Sequence, residues 1–410
     1  MRIRPQSFVF TLLLGALSAL PPFSIDMGLP ALGLMARSLG TTSAGASLSL
    51  SLFMVGFALG PLVYGPLSDR YGRRPLMLVG CGVFVAAGVG CALAGSLPVM
   101  LVCRFIQGAG AGAGSVLVMA IIRDLFEGAV ARTRLSYVSL VMGVAPMIAP
   151  TIGAGVLAVS HWRAIYFTLA AGGLVLLLAT ALGLQESAPR SQAPLSPRGL
   201  VRSYARVFGH RLSLGYSLLS ALSFGCCFAY ISGSPLVLMD VLGVSTAVYG
   251  TCFALTALAM MAGAFANGRL SARGVPAARL LTLGLALGGL GSLLLVLVTG
   301  TGLASVATLL PLFALTNFSL GFITPNATHG ALQPMPDIAG VASAVLNALR
   351  MLVAAASSAL VAVLFHGTSA LPVAVVMAGF ALASVLVYVL VVRPVEHRAP
   401  PGADALPTRA

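Results

Sequence analysis

The sequence predicts an all-α protein that crosses a membrane twelve times, in two halves of six helices. Three observations support this prediction. Of the 410 residues, 59% are hydrophobic and 8% are charged, whereas a soluble domain carries about 25% charged residues. Twelve stretches are apolar over the roughly 20 residues that a helix needs to span a bilayer. The arginines are distributed unevenly between the segments that connect these stretches.

The twelve predicted spans are numbered in chain order. Each is mostly apolar and is bounded by polar or turn-forming residues. Spans 1 to 6 are predicted at residues 7–33, 47–67, 76–96, 98–122, 135–159 and 164–184, and spans 7 to 12 at 212–237, 247–268, 279–299, 302–325, 339–365 and 371–392.

The basic residues predict the orientation in the membrane. All 23 are arginines. If the N-terminus is cytoplasmic, 19 of them fall on the cytoplasmic side, Arg37 and Arg163 fall outside, and Arg104 and Arg350 fall within spans. Because cytoplasmic loops are enriched in basic residues, we expect a multi-pass protein of a bacterial inner membrane with both termini in the cytoplasm. The net charge of +14 does not indicate a nucleic-acid partner, since the arginines form no basic face on a folded domain.

A proline- and arginine-rich segment divides the chain. We expect an N-terminal six-helix bundle at 1–184, a cytoplasmic linker at 185–211, a C-terminal bundle at 212–393 and a cytoplasmic tail at 394–410. The first part of the linker is either ordered or a plain disordered loop. Its later part is expected to lie on the membrane surface through apolar side chains, namely Leu200, Val201, Tyr204, Val207 and Phe208.

The two halves resemble each other in sequence. Residues 65–72 read GPLSDRYG after span 2, and residues 268–274 read GRLSARG after span 8. Both copies lie in equivalent loops, which indicates a duplication. Many secondary transporters consist of two such halves with the substrate site between them.

Asp26 is the only carboxylate that we place inside a span, where a charge is costly and marks a functional site. At 1.5 Å per residue, Asp26 lies about 12 Å from the outer end of span 1, and Arg104 about 9 Å from the outer end of span 4. We expect the two groups at similar depth, interacting directly or through water. Burial favours the neutral acid and a nearby arginine the carboxylate, so Asp26 could carry a proton. The alternative is a static structural pair.

Arg350 is placed about 17 Å into span 11, near the middle of the membrane. No carboxylate of the second half lies at that depth. Two interpretations are open. Arg350 faces a central cavity, for which Asn347 and Gln107 are the other candidate residues, or it is satisfied by backbone carbonyls, Asn347 or Asn317.

Several motifs resemble those of a known family. Residues 65–74, GPLSDRYGRR, are similar to the signature loop of the major facilitator superfamily. Residues 101–110, LVCRFIQGAG, are similar to the span-4 motif of its drug–proton antiporters, and residues 145–153, APMIAPTIG, to their span-5 motif. Three further segments resemble the bicyclomycin and chloramphenicol resistance (Bcr/CflA) branch: IDMGLPAL at 25–32, TPNA at 324–327 and DIAGVASA at 337–344.

The resemblance implies the major facilitator fold and a proton-driven exporter of small amphipathic drugs that works by alternating access. Asp26 and Arg104 would serve proton coupling. Gly65, Asp69, Arg70, Gly72 and Arg73 would form a latch that holds the cytoplasmic side shut, unless these arginines only set the topology. Pro146, Pro150 and Gly153 of span 5 would allow a helix bend and a tight helix contact that are linked to antiport. The alternative is that these residues serve helix packing alone.

Other functions fit the sequence less well. A proton-coupled transporter of an endogenous metabolite, importing or exporting, is the main alternative. An enzyme is not expected, because HExxH, GxSxG and paired catalytic carboxylates are missing from the sequence. The cysteines and histidines show no metal-ligand spacing, so we expect neither a metal nor a cofactor. The proton gradient would supply the energy. The expected partners are a small-molecule substrate and the lipid bilayer, with the protein a monomer.

Overall fold

The computed structural model describes residues 3–187 and 197–398, without the side chains of 197–200 and 396–398. Within these residues the regular secondary structure is entirely helical. The twelve predicted spans are all confirmed as helices long and apolar enough to cross a membrane. They are Phe8–Ser38, Ser43–Tyr71, Arg73–Leu93, Leu97–Leu125, Gly128–Val159, Trp162–Gly183, Arg211–Val241, Thr246–Ala272, Ala277–Gly300, Val306–Leu332, Pro336–Leu364 and Leu371–Val395.

Several helices extend past the apolar stretch that predicts them. Span 2 continues to Tyr71 and ends only at Gly72, whose φ of 96° lies in the left-handed region. Span 5 starts at Gly128, seven residues before its predicted start at 135. A helix does not end at the membrane surface, because its backbone hydrogen bonds form in water as well. It ends where a residue leaves the helical conformation, as Gly72 does.

A helix at Pro197–Gly209, here called the linker helix, joins the two halves. Val207 is fully buried, in a cluster with Met335, the residue before span 11, and with Ala342 and Val345 of span 11. Arg206 forms an ion pair with Asp337 at the start of span 11. The linker helix therefore packs partly on the protein and not only on a membrane surface, although Val201 and Phe208 are exposed. Residues 188–196 and the tail from 399 onward lie outside the described residues.

The same helix pairs pack together in both halves. Spans 1 and 5, 2 and 4, 3 and 4, and 3 and 6 are in contact, and so are spans 7 and 11, 8 and 10, 9 and 10, and 9 and 12. The halves meet through spans 2 and 11 and through spans 5 and 8. Because span 2 corresponds to span 8 and span 5 to span 11, these two interfaces are also equivalent. This repetition agrees with the duplication inferred from the sequence.

Glycines at two helix crossings show the repeat in detail. A Cβ on Gly56 would collide with the carbonyl oxygen of Phe105, and one on Gly108 with that of Phe53, so spans 2 and 4 cross in backbone contact. In the second half, a Cβ on Gly263 would collide with the carbonyl oxygen of Phe318 where spans 8 and 10 cross. Small residues let membrane helices approach this closely.

A buried apolar cluster shared by the two halves lies toward one end of the bundle. We call the end where span 1 begins and span 12 ends the terminal end, and the opposite one the far end. Toward the far end, a single apolar cluster contains residues of both halves, such as Met35 and Leu236. At the terminal end, one cluster around Leu117 belongs to the first half and a separate one around Leu219 to the second. The buried apolar core is therefore continuous between the halves toward the far end and separate in each half at the terminal end.

Candidate functional site: a central cavity beside a buried carboxylate

Span 1 changes conformation at Asp26. Its α-helical part, Phe8–Asp26, ends at this residue, and a short 3-10 helix, Leu29–Ala31, follows before the α-helix resumes at Leu32. Pro30 stands at the start of the 3-10 segment and has no N–H to continue the hydrogen-bond ladder. Interrupted membrane helices are where many transporters place their ion and substrate sites.

Asp26 is 3% exposed, and within the described residues its Oδ1 atom has no hydrogen-bond partner. It lines a cavity of about 190 Å³ between the two halves, in the interior of the bundle. The other lining side chains are almost all apolar, and many are aromatic. They come from spans 1, 2, 5, 7, 8, 10 and 11, and include Phe57, Met142, Pro146, Phe224, Cys227, Phe228, Tyr230, Phe253, Thr256, Met260, Asn317 and Met351.

Arg104 lies next to this site but forms no direct ion pair with Asp26 among the described residues. Its Nη2 donates to the carbonyl of Ser24, two residues before Asp26, at 3.0 Å, and its Nη1 donates to Oε1 of Gln107 at 2.9 Å. The guanidinium lies 4.4 Å from the ring centroid of Phe53. The predicted similarity in depth agrees with the bond to Ser24. A direct ion pair between Arg104 and Asp26 is absent among the described residues, because the guanidinium of Arg104 instead contacts backbone carbonyls, Gln107 and the ring of Phe53.

The three predicted cavity residues do not line the cavity in this structure. Gln107 is fully buried beside Arg104, and its Nε2 has no partner within the described part of the chain. Asn347 is exposed. Arg350 donates to the hydroxyls of Ser220 and Thr328, at 2.6 to 2.8 Å. Its partners are therefore hydroxyls of spans 7 and 10, and not the carbonyls or asparagines considered from the sequence.

The span-5 motif touches the interrupted part of span 1. Pro146 lines the cavity. A Cβ on Gly153 would collide with the carbonyl oxygen of Met27, the residue after Asp26, so this glycine allows the two helices to meet at the interruption. Pro150 is buried within the same helix. The motif thus supports the backbone that carries Asp26.

The loop between spans 2 and 3 carries a network of charges. Arg73 forms an ion pair with Asp69, and donates to Oδ2 of Asp124 at 2.9 Å and to Oγ of Ser68 at 2.6 Å. These groups connect spans 2, 3 and 4 within the first half. The Asp69 side chain is 61% exposed. Arg70 lies over the ring of Tyr71, at 5.4 Å from its centroid, and Gly65 is near Val116 of span 4.

Glu186 completes this network, and sequence reasoning missed it. Its carboxylate accepts hydrogen bonds from the backbone N–H groups of Arg73 at 2.7 Å and Arg74 at 3.2 Å. These are the first two residues of span 3, where the helix dipole favours an anion. A Cβ on Gly72 would collide with this carboxylate, so Gly72 provides both the left-handed turn and room for Glu186. The sequence offered one signal for Glu186: acidic residues are scarce, since the chain has only nine, so each of them is a candidate partner for an arginine.

The fold and the cavity define a class of protein: a membrane transporter of two six-helix halves with a site between them. The profile of the Major Facilitator Superfamily matches residues 12–358, and the chain belongs to this family. It is 30% identical to the bicyclomycin resistance protein homolog of Haemophilus influenzae, over 95% of this chain and 97% of that protein. It is also 30% identical to multidrug resistance protein D of Escherichia coli, over 85% and 86% of the two chains.

A solved structure shares the fold. The crystal structure of a D-xylose–proton symporter superposes with a TM-score of 0.70, covering 94% of this chain and 98% of that one. The sequences are 18% identical, so this likeness concerns the architecture alone.

Proposed function

We propose that the protein is a proton-driven exporter of small amphipathic drugs, including antibiotics, that works by alternating access. The observation that carries the proposal is the cavity between the halves, which is lined by aromatic and apolar side chains and one buried carboxylate, Asp26. Such a surface binds amphipathic molecules with few hydrogen-bonding groups. The names of the relatives, which refer to bicyclomycin and multidrug resistance, support the same function.

In this proposal Asp26 carries the coupling proton. Its position at the interruption of span 1, in the cavity between the halves, lets the same residue be reached from either side as the halves rock. Its unpartnered Oδ1 leaves an acceptor free for a proton. Arg104 acts as a positioning residue, because its bond to Ser24 holds the backbone next to Asp26. Each cycle moves one proton inward through Asp26 and one drug molecule outward.

The arginine distribution supports a cytoplasmic location for the terminal end. With that orientation, the separate apolar clusters of the two halves at the terminal end support an inward-facing state, ready to receive a drug from the cytoplasm or the inner leaflet. Asp69, exposed in this state, would be released from its present pair with Arg73 to engage the second half when the terminal end closes. The network of Arg73, Asp124 and Glu186 keeps the loop in place for that contact.

A drug panel in an efflux-deficient bacterial strain tests the proposal. Expression of the protein should raise the inhibitory concentration of some amphipathic drugs, and a protonophore should abolish their energised efflux. Glu127→Gln is the matched control for Asp26→Asn, because Glu127 is an exposed carboxylate at the start of span 5. Efflux should be lost in Asp26→Asn and kept in Glu127→Gln. If a protonophore leaves the efflux of every drug in the panel unchanged, proton coupling is refuted.

A further inference from the structure

The two arginines inside the spans differ in how completely they are bound. Arg104 donates from all three of its guanidinium nitrogens to carbonyl oxygens at 2.9 to 3.4 Å, namely those of Ser49, Ser24 and the Gln107 side chain. The face of the Phe53 ring also lies against the guanidinium. Carbonyl oxygens and ring faces carry negative partial charge. The cation of the first half is therefore compensated by fixed groups of the protein.

Arg350 in the second half is bound less completely. Its Nε and Nη2 donate to the Ser220 hydroxyl at 2.8 and 2.6 Å, and Nη2 also donates to the Thr328 hydroxyl at 2.7 Å. Its Nη1 has no acceptor among the described residues, and the ion pairs found there do not include Arg350. Hydroxyls accept hydrogen bonds but carry no net charge, so the cation has no fixed counter-charge in contact with it.

Span 7 adds donors that also lack partners. The Ser220 oxygen accepts from Arg350, and its own O–H has no acceptor within the described part of the chain. Ser217 lies one turn earlier on the same face of span 7. Its hydroxyl is buried, and it too has no partner within that part of the chain. This region therefore combines a positive charge with N–H and O–H donors that have no acceptor.

The partners of Arg350 locate its guanidinium in the terminal half of the bundle. Thr328 lies four residues before the end of span 10, about 6 Å from it, and Ser220 nine residues after the start of span 7, about 14 Å from it. None of these three side chains lines the described central cavity. Arg350 remains partly exposed, which leaves space for a small group in contact with it.

We infer that Arg350 forms a binding site for a small monoanionic group together with Ser220 and Ser217 of span 7. The group is a chloride ion or the carboxylate of a transported molecule, because both accept hydrogen bonds from a guanidinium and from hydroxyls. One negative charge balances the single cation, whereas a dianion leaves a buried excess of charge. The site is separate from the central cavity, and the inference does not depend on drug export.

Thermal melting of the purified full-length protein in detergent tests the site. The protein is titrated separately with sodium chloride, sodium benzoate and benzamide, which resembles benzoate in shape but is neutral. We expect chloride, benzoate or both to give a saturable rise in the melting temperature, of about 2 °C at a tenfold excess over the dissociation constant. Benzamide should give no such rise.

Variants assign the effect to the site. Arg350→Gln should abolish the saturable rise, because it removes the charge. Ser217→Ala or Ser220→Ala should weaken anion binding about three- to tenfold through loss of a hydrogen bond. Arg279→Gln is the matched control for general effects of salt, because Arg279 is exposed at the start of span 9. It should respond as the unaltered protein does.

The outcomes separate the two sources of the anion. A rise with chloride alone identifies a free ion as the ligand, and a rise with benzoate alone identifies the carboxylate of an amphipathic molecule. The inference is overturned if neither salt gives a saturable rise, if the rise persists unchanged in Arg350→Gln, or if benzamide matches benzoate and chloride has no effect. If Arg350→Gln does not insert stably, the serine variants and the comparison of benzoate with benzamide still decide the question.

Discussion

Replacing Asp26 with asparagine should uncouple drug movement from the proton gradient. Asparagine preserves the size of the side chain and its hydrogen bonding but cannot titrate at neutral pH. Asp26 is the only carboxylic acid that lines the described cavity, so we expect one proton per cycle through this site. The Asp26→Asn protein should insert and bind a neutral drug, and should fail to concentrate it.

The size of the drug gradient that the protein can build follows from the number of protons exchanged per drug molecule. One elementary charge moved through about 100 mV supplies about 2.3 kcal/mol, and every 1.4 kcal/mol corresponds to about a tenfold concentration ratio. Export of a neutral drug against one proton can therefore build a gradient of about fiftyfold. Two protons would allow about 2,000-fold by the same arithmetic. In the Asp26→Asn protein the ratio should fall to about one.

The assay uses the purified protein in liposomes with a potassium diffusion potential of about 100 mV, positive inside. A radiolabelled neutral drug should accumulate in the lumen as protons leave it. An organic monocation exchanged for one proton moves no net charge, so the same potential should not concentrate it, whereas a pH gradient should. Glu127→Gln is the control for general damage to the protein.

Two outcomes would refute this reasoning. Stable Asp26→Asn protein that still accumulates the neutral drug under the potential would show that the coupling proton travels elsewhere. A ratio in the unaltered protein well above fiftyfold would show that a second titrating group takes part, contrary to the single carboxylate of the cavity.

Three further predictions concern the scaffold. Gly108→Ala should destabilise the protein by about 1 to 3 kcal/mol, because the added Cβ would collide with the backbone of Phe53. The loss should appear as a lower melting temperature in detergent. Gly82→Ala is the control and should not lower the melting temperature, because a Cβ on Gly82 meets open space. Asp69→Asn should slow efflux but keep drug binding within a few-fold; an equal loss of binding would contradict the latch. Co-expressed halves separated near Ala193 should transport measurably, and stable halves without activity would contradict this.

Much of the architecture was predictable from local sequence. The number of spans follows from apolar stretches of sufficient length, because the bilayer accepts only helices whose backbone groups are all paired internally. The equivalence of the halves was visible in the loops after spans 2 and 8 and reappears in the equivalent glycine crossings. The helix ends were less accurate, because hydropathy changes at the membrane surface whereas a helix ends at a conformational stop such as Gly72.

The site was predictable only in part. Asp26 could be found because a carboxylate inside a span is rare and expensive. Its environment could not, since the rings of Phe57, Phe228 and Phe253 are indistinguishable in sequence from those that face lipid. Which face of a helix borders a cavity depends on its rotation against helices far away in the chain. The same reason explains why Gln107 and Asn347, both plausible cavity residues, lie elsewhere in this structure.

By itself, the sequence determined the membrane class, the two halves and the position of Asp26 as the only carboxylate within a predicted span, because each depends on the cost of transferring local groups into lipid. Only the tertiary structure decided which groups the buried and charged side chains contact. It placed Arg104 on Ser24 instead of Asp26, Arg350 on Ser220 and Thr328, and Glu186 on the start of span 3. It also made the buried apolar core continuous between the halves toward the far end and separate at the terminal end. These outcomes depend on how helices far apart in the sequence pack, within each six-helix bundle and between the two, which no local stretch of sequence encodes.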